Sequence, residues 1–155
     1  MMLHGSCVAL DEDGVLILGP SGAGKSDLVL RLIRRGWSLV ADDQVALAVD
    51  RDALHGDVSP ALRADAPPAL RGMLEVRGLG LFRDLPAAGP RPLRLVVRLD
   101  AAPARLPEPA WFPALGRVLP MVTLRGLEPS LPEKVALALE AATGRAQMAA
   151  GAFAA

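Results

Sequence analysis

The chain has little of several things, and each shortage narrows what it can be. One cysteine, Cys7, stands among 155 residues. That excludes an internal disulfide and a zinc site built on several thiolates, fits a reducing compartment, and reads as a small buried hydrophobe. Net charge is absent too, with 17 basic side chains against 17 acidic. No global field therefore draws the protein to nucleic acid or to an anionic membrane. No uninterrupted apolar run approaches the roughly 18 residues of a spanning helix, and "MMLHGSCVALDEDG" lacks the basic-then-apolar pattern of a secretory leader. A cytoplasmic protein is expected. What is plentiful is apolar side chain, at 52% of residues, which suits one domain with a real core.

Along the chain, "LHGSCVAL" and "GVLIL" flank "DEDG" and predict two antiparallel strands joined by a hairpin. The second strand feeds a glycine-rich loop, and residues 26–35, "SDLVLRLIRR", carry helical spacing stopped by Gly36. "WSLVADD" and "QVALAV" predict two more strands. In the proline- and glycine-rich middle, "LEVRG" and "LGLF" predict short extended segments. Residues 83–92, "RDLPAAGPRP", predict a mobile loop that does not pair continuously in a sheet. "LRLVVRL" and "LPMVTL" predict strands, with "APARLPEPAWFPALGRV" as a long irregular connection between them. "SLPEKVALALEAATG" predicts a closing helix with a serine cap and a glutamate three residues on. The expected division is a single domain over 1–145 and an alanine-rich tail over 146–155.

Gly19, Pro20, Ser21, Gly22, Ala23, Gly24, Lys25 and Ser26 fit GxxxxGK[ST] without mismatch. A strand before and a helix after supply the context that pattern needs. The glycines let backbone amides turn inward on phosphate and the new helix adds its positive end. Lys25 is expected to reach the β and γ phosphates, and Ser26 to ligate magnesium. A plain glycine turn would need neither the lysine nor the hydroxyl.

Phosphoryl transfer also needs carboxylates. Asp42 and Asp43 end an apolar strand, and both serve one site only if the chain leaves strand geometry there. Two carboxylates held close favour one raised pKa, suiting a group that takes a proton and returns it. Alternatively one aspartate caps a turn and the other alone binds metal. With "DEDG" as a four-residue loop, Leu10 faces Val15 and His4 falls opposite Ser21. Taken alone, His4 is as well read as a surface residue, and His55, in a polar turn, is left as structural. Glu75 and Arg77 share one face of a strand and suit either a site or an ordinary surface ion pair.

"LHG", "GPSGAGKS", "LVADD" and "APPALRGMLEVRGLG", in that order, resemble the catalytic domain of HPr kinase/phosphorylase. The match runs from Leu3 to about Leu81 and more weakly to the last helix. The resemblance implies an α/β P-loop domain with a mixed sheet, similar to the nucleotide domain of phosphoenolpyruvate carboxykinase. It implies a kinase that uses ATP and magnesium to phosphorylate a serine of HPr, and that can run a reverse, phosphate-dependent step releasing pyrophosphate. It implies Asp42 as base and, in reverse, acid; Asp43 as its assistant and a metal ligand; His4 beside the acid pair; Glu75 as a magnesium residue; and Arg77 in the nucleotide site. It also implies a homo-oligomer, commonly a hexamer. The family's separate N-terminal domain has no counterpart here, so a catalytic domain standing alone is expected. Where the family continues with an aspartate this chain has Arg83, and its basic substrate-gripping segment is represented by Arg125. A small-molecule kinase on the same scaffold, or a non-catalytic nucleotide sensor, are the alternatives.

Overall fold

A computed structural model describes residues 1–50 and 61–154. His55 lies outside the described residues. Among these, a nine-stranded sheet contains β1 (Met2–His4), β2 (Ser6–Leu10), β3 (Asp13–Leu18), β4 (Ser38–Ala41), β5 (Gln44–Val49), β6 (Leu62–Asp65), β9 (Arg91–Asp100), β10 (Ala110–Ala114) and β11 (Arg117–Arg125). A separate hairpin pairs β7 (Leu74–Val76) with β8 (Gly80–Phe82). The helices are α1 (Lys25–Ile33) and α2 (Leu131–Ala142). The sheet is mixed, as expected: β9 runs parallel to both β3 and β11, while β2 pairs antiparallel with β3 and β4.

Period-two alternation sorts the central strands onto two cores. Val8, Val15, Ile17, Leu95 and Val97 face α1 and α2, where Leu28, Leu32, Val135 and Leu139 are buried. Cys7, Ala9, Leu16 and Val96 face the other way and pack with Val45, Leu47, Leu62 and Ala64 of β5 and β6. Burial pushes the Cys7 thiol up to about 12, with a backbone hydrogen bond opposing and Asp65 adding to the shift. It is the small apolar filler the sequence implied.

Several expectations need correction. The first hairpin is tighter than a four-residue loop: Leu10 pairs with Asp13, so only Asp11 and Glu12 turn the chain, with Asp11 at φ 53. His4 therefore does not face Ser21. The chain breaks at Gly5, whose Cβ would stand 2.8 Å from the Ile17 carbonyl oxygen, and β1 pairs with β5 so that His4 faces Gln44. The segment 83–92 is not all loop. Arg91 and Pro92 begin β9 and pair with β6, and the Ala88 amide donates to the Leu39 carbonyl at 2.7 Å. Nor is 102–118 irregular throughout, since β10 and β11 form a hairpin. Its turn residues, Leu115 (φ 50) and Gly116 (φ 75), are both left-handed, the geometry that suits strand twist, but leucine hides the usual Asn-Gly signal. Ser130 sits at the N-cap of α2 without a side-chain cap hydrogen bond. In the tail, Ala152 is buried and Phe153 packs on the helix-side core.

Candidate active site

The phosphate loop lies where β3 ends and α1 begins. Gly22 (φ 83) and Gly24 (φ 101) hold left-handed backbone that a side chain would strain. The first amides of α1 have no intrahelical acceptor and point out of the helix toward the loop. Lys25, the first residue of α1, is 8% exposed, and its Nζ donates to the carbonyls of Gly19 at 2.7 Å and Pro20 at 3.0 Å. Burial pushes its pKa below the ordinary lysine range, against the pull of the Asp42 and Asp43 carboxylates. A desolvated cation held at the loop that leads into a helix N-terminus favours an anion there. Beside it lies a cavity of about 690 Å³, walled by the loop, Arg98, Asp100, Gly126 and Leu127.

The acid pair stands at the end of β4. Strand geometry stops at Ala41 and Asp43 adopts φ 71, so the two side chains escape the alternation that would send them to opposite faces. Asp42 is 6% exposed and accepts from Ser6 Oγ at 2.7 Å and from Ser26 Oγ at 3.0 Å on each carboxylate oxygen. The carboxylate is thus tied to the hydroxyl that closes the phosphate-loop motif. Asp43 is mostly exposed, and its Oδ1 lies 3.6 Å from Nδ1 of the equally open His4. His4 does reach the acid pair, by way of β1–β5 pairing rather than the β2–β3 hairpin.

Arg77 falls just past β7, in the turn of the β7–β8 hairpin, and its Nη2 is 4.0 Å from where a Gly22 Cβ would be. It stands beside the phosphate loop. Glu75 is exposed on β7, and among the described residues it has no ion pair with Arg77 or with any other side chain. The surface-pair alternative is thereby removed, but Glu75 is not drawn into contact with the acid pair.

Two residues escaped the sequence reading. Ser6, buried in β2, fixes Asp42; a lone serine in an apolar strand was its only signal. Gly126 follows β11, where a Cβ would come 2.1 Å from the Ala23 carbonyl oxygen. Only a residue without a side chain lets the end of β11 press against the phosphate loop.

Comparison with known proteins places this arrangement. The model of the HPr Serine kinase C-terminal domain matches residues 1–86, which hold the phosphate loop, the acid pair and the β7–β8 hairpin. The chain belongs to the HPr serine kinase C-terminal domain family. Within it, an HPr kinase/phosphorylase of Cupriavidus metallidurans is 40% identical over 134 residues, covering 79% of this chain and 39% of that protein. One from Chromobacterium violaceum is 41% identical over 108 residues, covering 65% and 31%. The chain therefore spans about a third of the length of these relatives. The solved structure of the Hpr(Ser) kinase/phosphatase from Coxiella burnetii superposes with a TM-score of 0.72 at 24% identity, over 87% of this chain and 91% of that one. At that identity the likeness speaks for the fold, a P-loop α/β domain. Among the described residues no helix is long and apolar enough to cross a membrane.

Proposed function

We propose that this domain transfers the γ phosphoryl group of ATP, with magnesium, to a serine hydroxyl of the phosphocarrier HPr. The observation that carries the reading is the link from Lys25 and Ser26 to Asp42: a phosphate-binding loop whose terminal hydroxyl is hydrogen-bonded, at 3.0 Å, to a buried carboxylate.

The donor set fits the groups required. Lys25, the loop amides and Arg77 supply positive charge for a triphosphate. Among the described residues no three carboxylate, imidazole or thiolate groups gather into a metal cage. Magnesium suits such a site because it is usually held by one or two carboxylates together with substrate phosphates. Ser26, Asp43 and Glu75 are the residues we assign to it. When bound, it neutralises charge on the β and γ phosphates.

In the transfer, the serine oxygen forms a bond to γ phosphorus as the bond from phosphorus to the β-bridging oxygen breaks, and ADP leaves. Asp42 receives the hydroxyl proton. Its carboxylate already accepts from Ser6 and Ser26, which fix its plane, and still has lone-pair capacity for the substrate. Asp43 assists, with His4 beside it. In the reverse direction, attack by inorganic phosphate on phosphoserine would release pyrophosphate, with Asp42 returning the proton to serine. The proposal extends to a cytoplasmic homo-oligomer, a hexamer on the family resemblance, acting on neither nucleic acid nor membrane.

The test is direct. The purified chain with magnesium, ATP and HPr should form phosphoserine on HPr, and added inorganic phosphate should then yield pyrophosphate. Turnover of a small-molecule acceptor with HPr left unmodified would replace this reading with a small-molecule kinase, and nucleotide binding without any transfer would replace it with a sensor.

A further inference from the structure

Away from the phosphate loop, a second cavity of about 750 Å³ lies between the end of α1, the start of β4, the β7–β8 hairpin and residues 85–88. Ile33, Trp37, Leu39, Leu74, Phe82 and Leu85 contribute apolar walls. Its volume falls within the roughly 300–1,000 Å³ of small-molecule sites, which combine such walls with a few placed polar groups.

The polar side chains here are the neutral Ser38 and two guanidiniums, Arg34 and Arg91, which among the described residues are the only charged groups in its lining. Among the described residues neither forms an ion pair with a carboxylate. Arg91 commits Nε to the Asp11 carbonyl at 3.3 Å and Nη1 to those of Gly89 at 3.4 Å and Pro90 at 3.1 Å, which orients the group and leaves Nη2 to donate. Other arginines of the same region are matched: Arg35 pairs with Glu133 and Arg31 with Asp27. An apolar cavity edged by cations with no anion of their own is complementary to one kind of ligand, an apolar body ending in a negative charge.

We propose that this cavity binds an amphipathic monocarboxylate, an aliphatic chain lying along the Trp37–Leu74–Phe82 wall with its carboxylate at the arginines. A polar anion such as inorganic phosphate would meet the guanidiniums but leave the walls uncovered. A neutral alcohol would cover the walls but leave the cations unmatched.

The two tryptophans of the chain make the test simple. Trp37 is buried in the cavity wall and Trp111 is exposed on the β10–β11 hairpin, so Trp111→Phe leaves one reporter at the site. Octanoate and decanoate below their micelle-forming concentrations, decanol below its solubility limit, and inorganic phosphate are titrated with no nucleotide present, so the outcome is independent of the kinase reading. Decanoate should change Trp37 emission saturably. It should bind roughly fifteenfold tighter than octanoate, since each of its two extra methylenes is worth about fourfold when buried. Decanol should bind more weakly and phosphate should give no change. Arg34→Gln combined with Arg91→Gln should weaken decanoate about tenfold or more and leave decanol unaffected. If the double variant melts early, the exposed Arg34→Gln alone should still show a severalfold loss. No saturable change with decanoate would overturn the proposal. So would equal binding of decanoate and decanol with no effect of the arginine changes, because the cavity would then be apolar only.

Discussion

Replacing Gly126 by alanine is the sharpest steric perturbation the site offers. The added methyl would sit 2.1 Å from the Ala23 carbonyl oxygen and 3.3 Å from its carbon. Real Cβ atoms keep at least 3.0 Å, so about 1 Å of backbone movement is required on one side or the other. Neither side gives easily. The Gly126 amide donates to the Asp100 carbonyl at 3.3 Å, at the end of the β9–β11 ladder, and Ala23 is tied back to the Pro20 carbonyl at 3.0 Å inside the phosphate loop. Overpacking of this kind costs about 1–3 kcal/mol, and each kcal/mol lowers Tm by about 2–4 °C in a chain of this size. The functional loss should be larger than the stability loss, because a displacement of about 1 Å at a reacting centre can cost about 100-fold in rate. The assay is nucleotide affinity by calorimetry and phosphoryl transfer to HPr, both well below Tm. Gly89→Ala is the control, since a Cβ there meets nothing within 4 Å and the residue is not left-handed. Wild-type affinity and turnover in Gly126→Ala would refute the claim that the end of β11 braces the phosphate loop.

Other perturbations follow from single contacts. Asp42→Asn should abolish transfer while leaving ATP binding largely intact, read as phosphoserine formation against calorimetric affinity; undiminished phosphoserine would remove Asp42 from its role. Lys25→Ala should weaken both nucleotide binding and transfer, and unchanged values for both would count against its assignment. For Cys7 the folded pKa of about 12 lies above its ordinary value of 9.0, so unfolding releases a proton at alkaline pH. Its contribution is fully present below about pH 9 and is lost as pH rises toward 12, at about 1.4 kcal/mol per pH unit. Urea unfolding of the wild type and Cys7→Ala should give a stability difference that is flat below about pH 9 and moves steadily against the wild type above it. The double difference cancels Lys25, whose lowered pKa acts with the opposite sign. A difference flat up to pH 11 would contradict the burial argument.

How much of this was legible in the sequence depended on whether a feature is local. The phosphate loop was readable because its chemistry is written in consecutive residues, Gly19 to Ser26, between a strand and a helix that announce themselves by period. The acid pair was readable for the same reason. The register count set His4 opposite Ser21 and failed, because it turned on whether Asp13 belonged to the loop or to the strand, and Gly5 broke the strand before the count reached His4. Its nearness to the acid pair came from the family resemblance alone, and the pairing of β1 with β5 is what sets it 3.6 Å from Asp43. The β10–β11 hairpin was hidden because Pro113 is uncommon within a paired strand and Leu115 occupies a turn position normally left to asparagine or glycine. Gly126 and Ser6 were beyond reach. Their roles are contacts with Ala23 and Asp42, residues far away in the chain, and no local pattern records a close approach made by a sheet.

The central claim, that Lys25, Ser26 and Asp42 form one phosphoryl-transfer centre for HPr, is tested most directly by a single comparison. Wild type and Asp42→Asn are matched for bound ATP and incubated with magnesium and HPr, and phosphoserine is quantified by mass spectrometry. The account predicts phosphoserine from the wild type and none above background from the variant; equal yields, or no phosphoserine from a wild type that binds ATP, would contradict it.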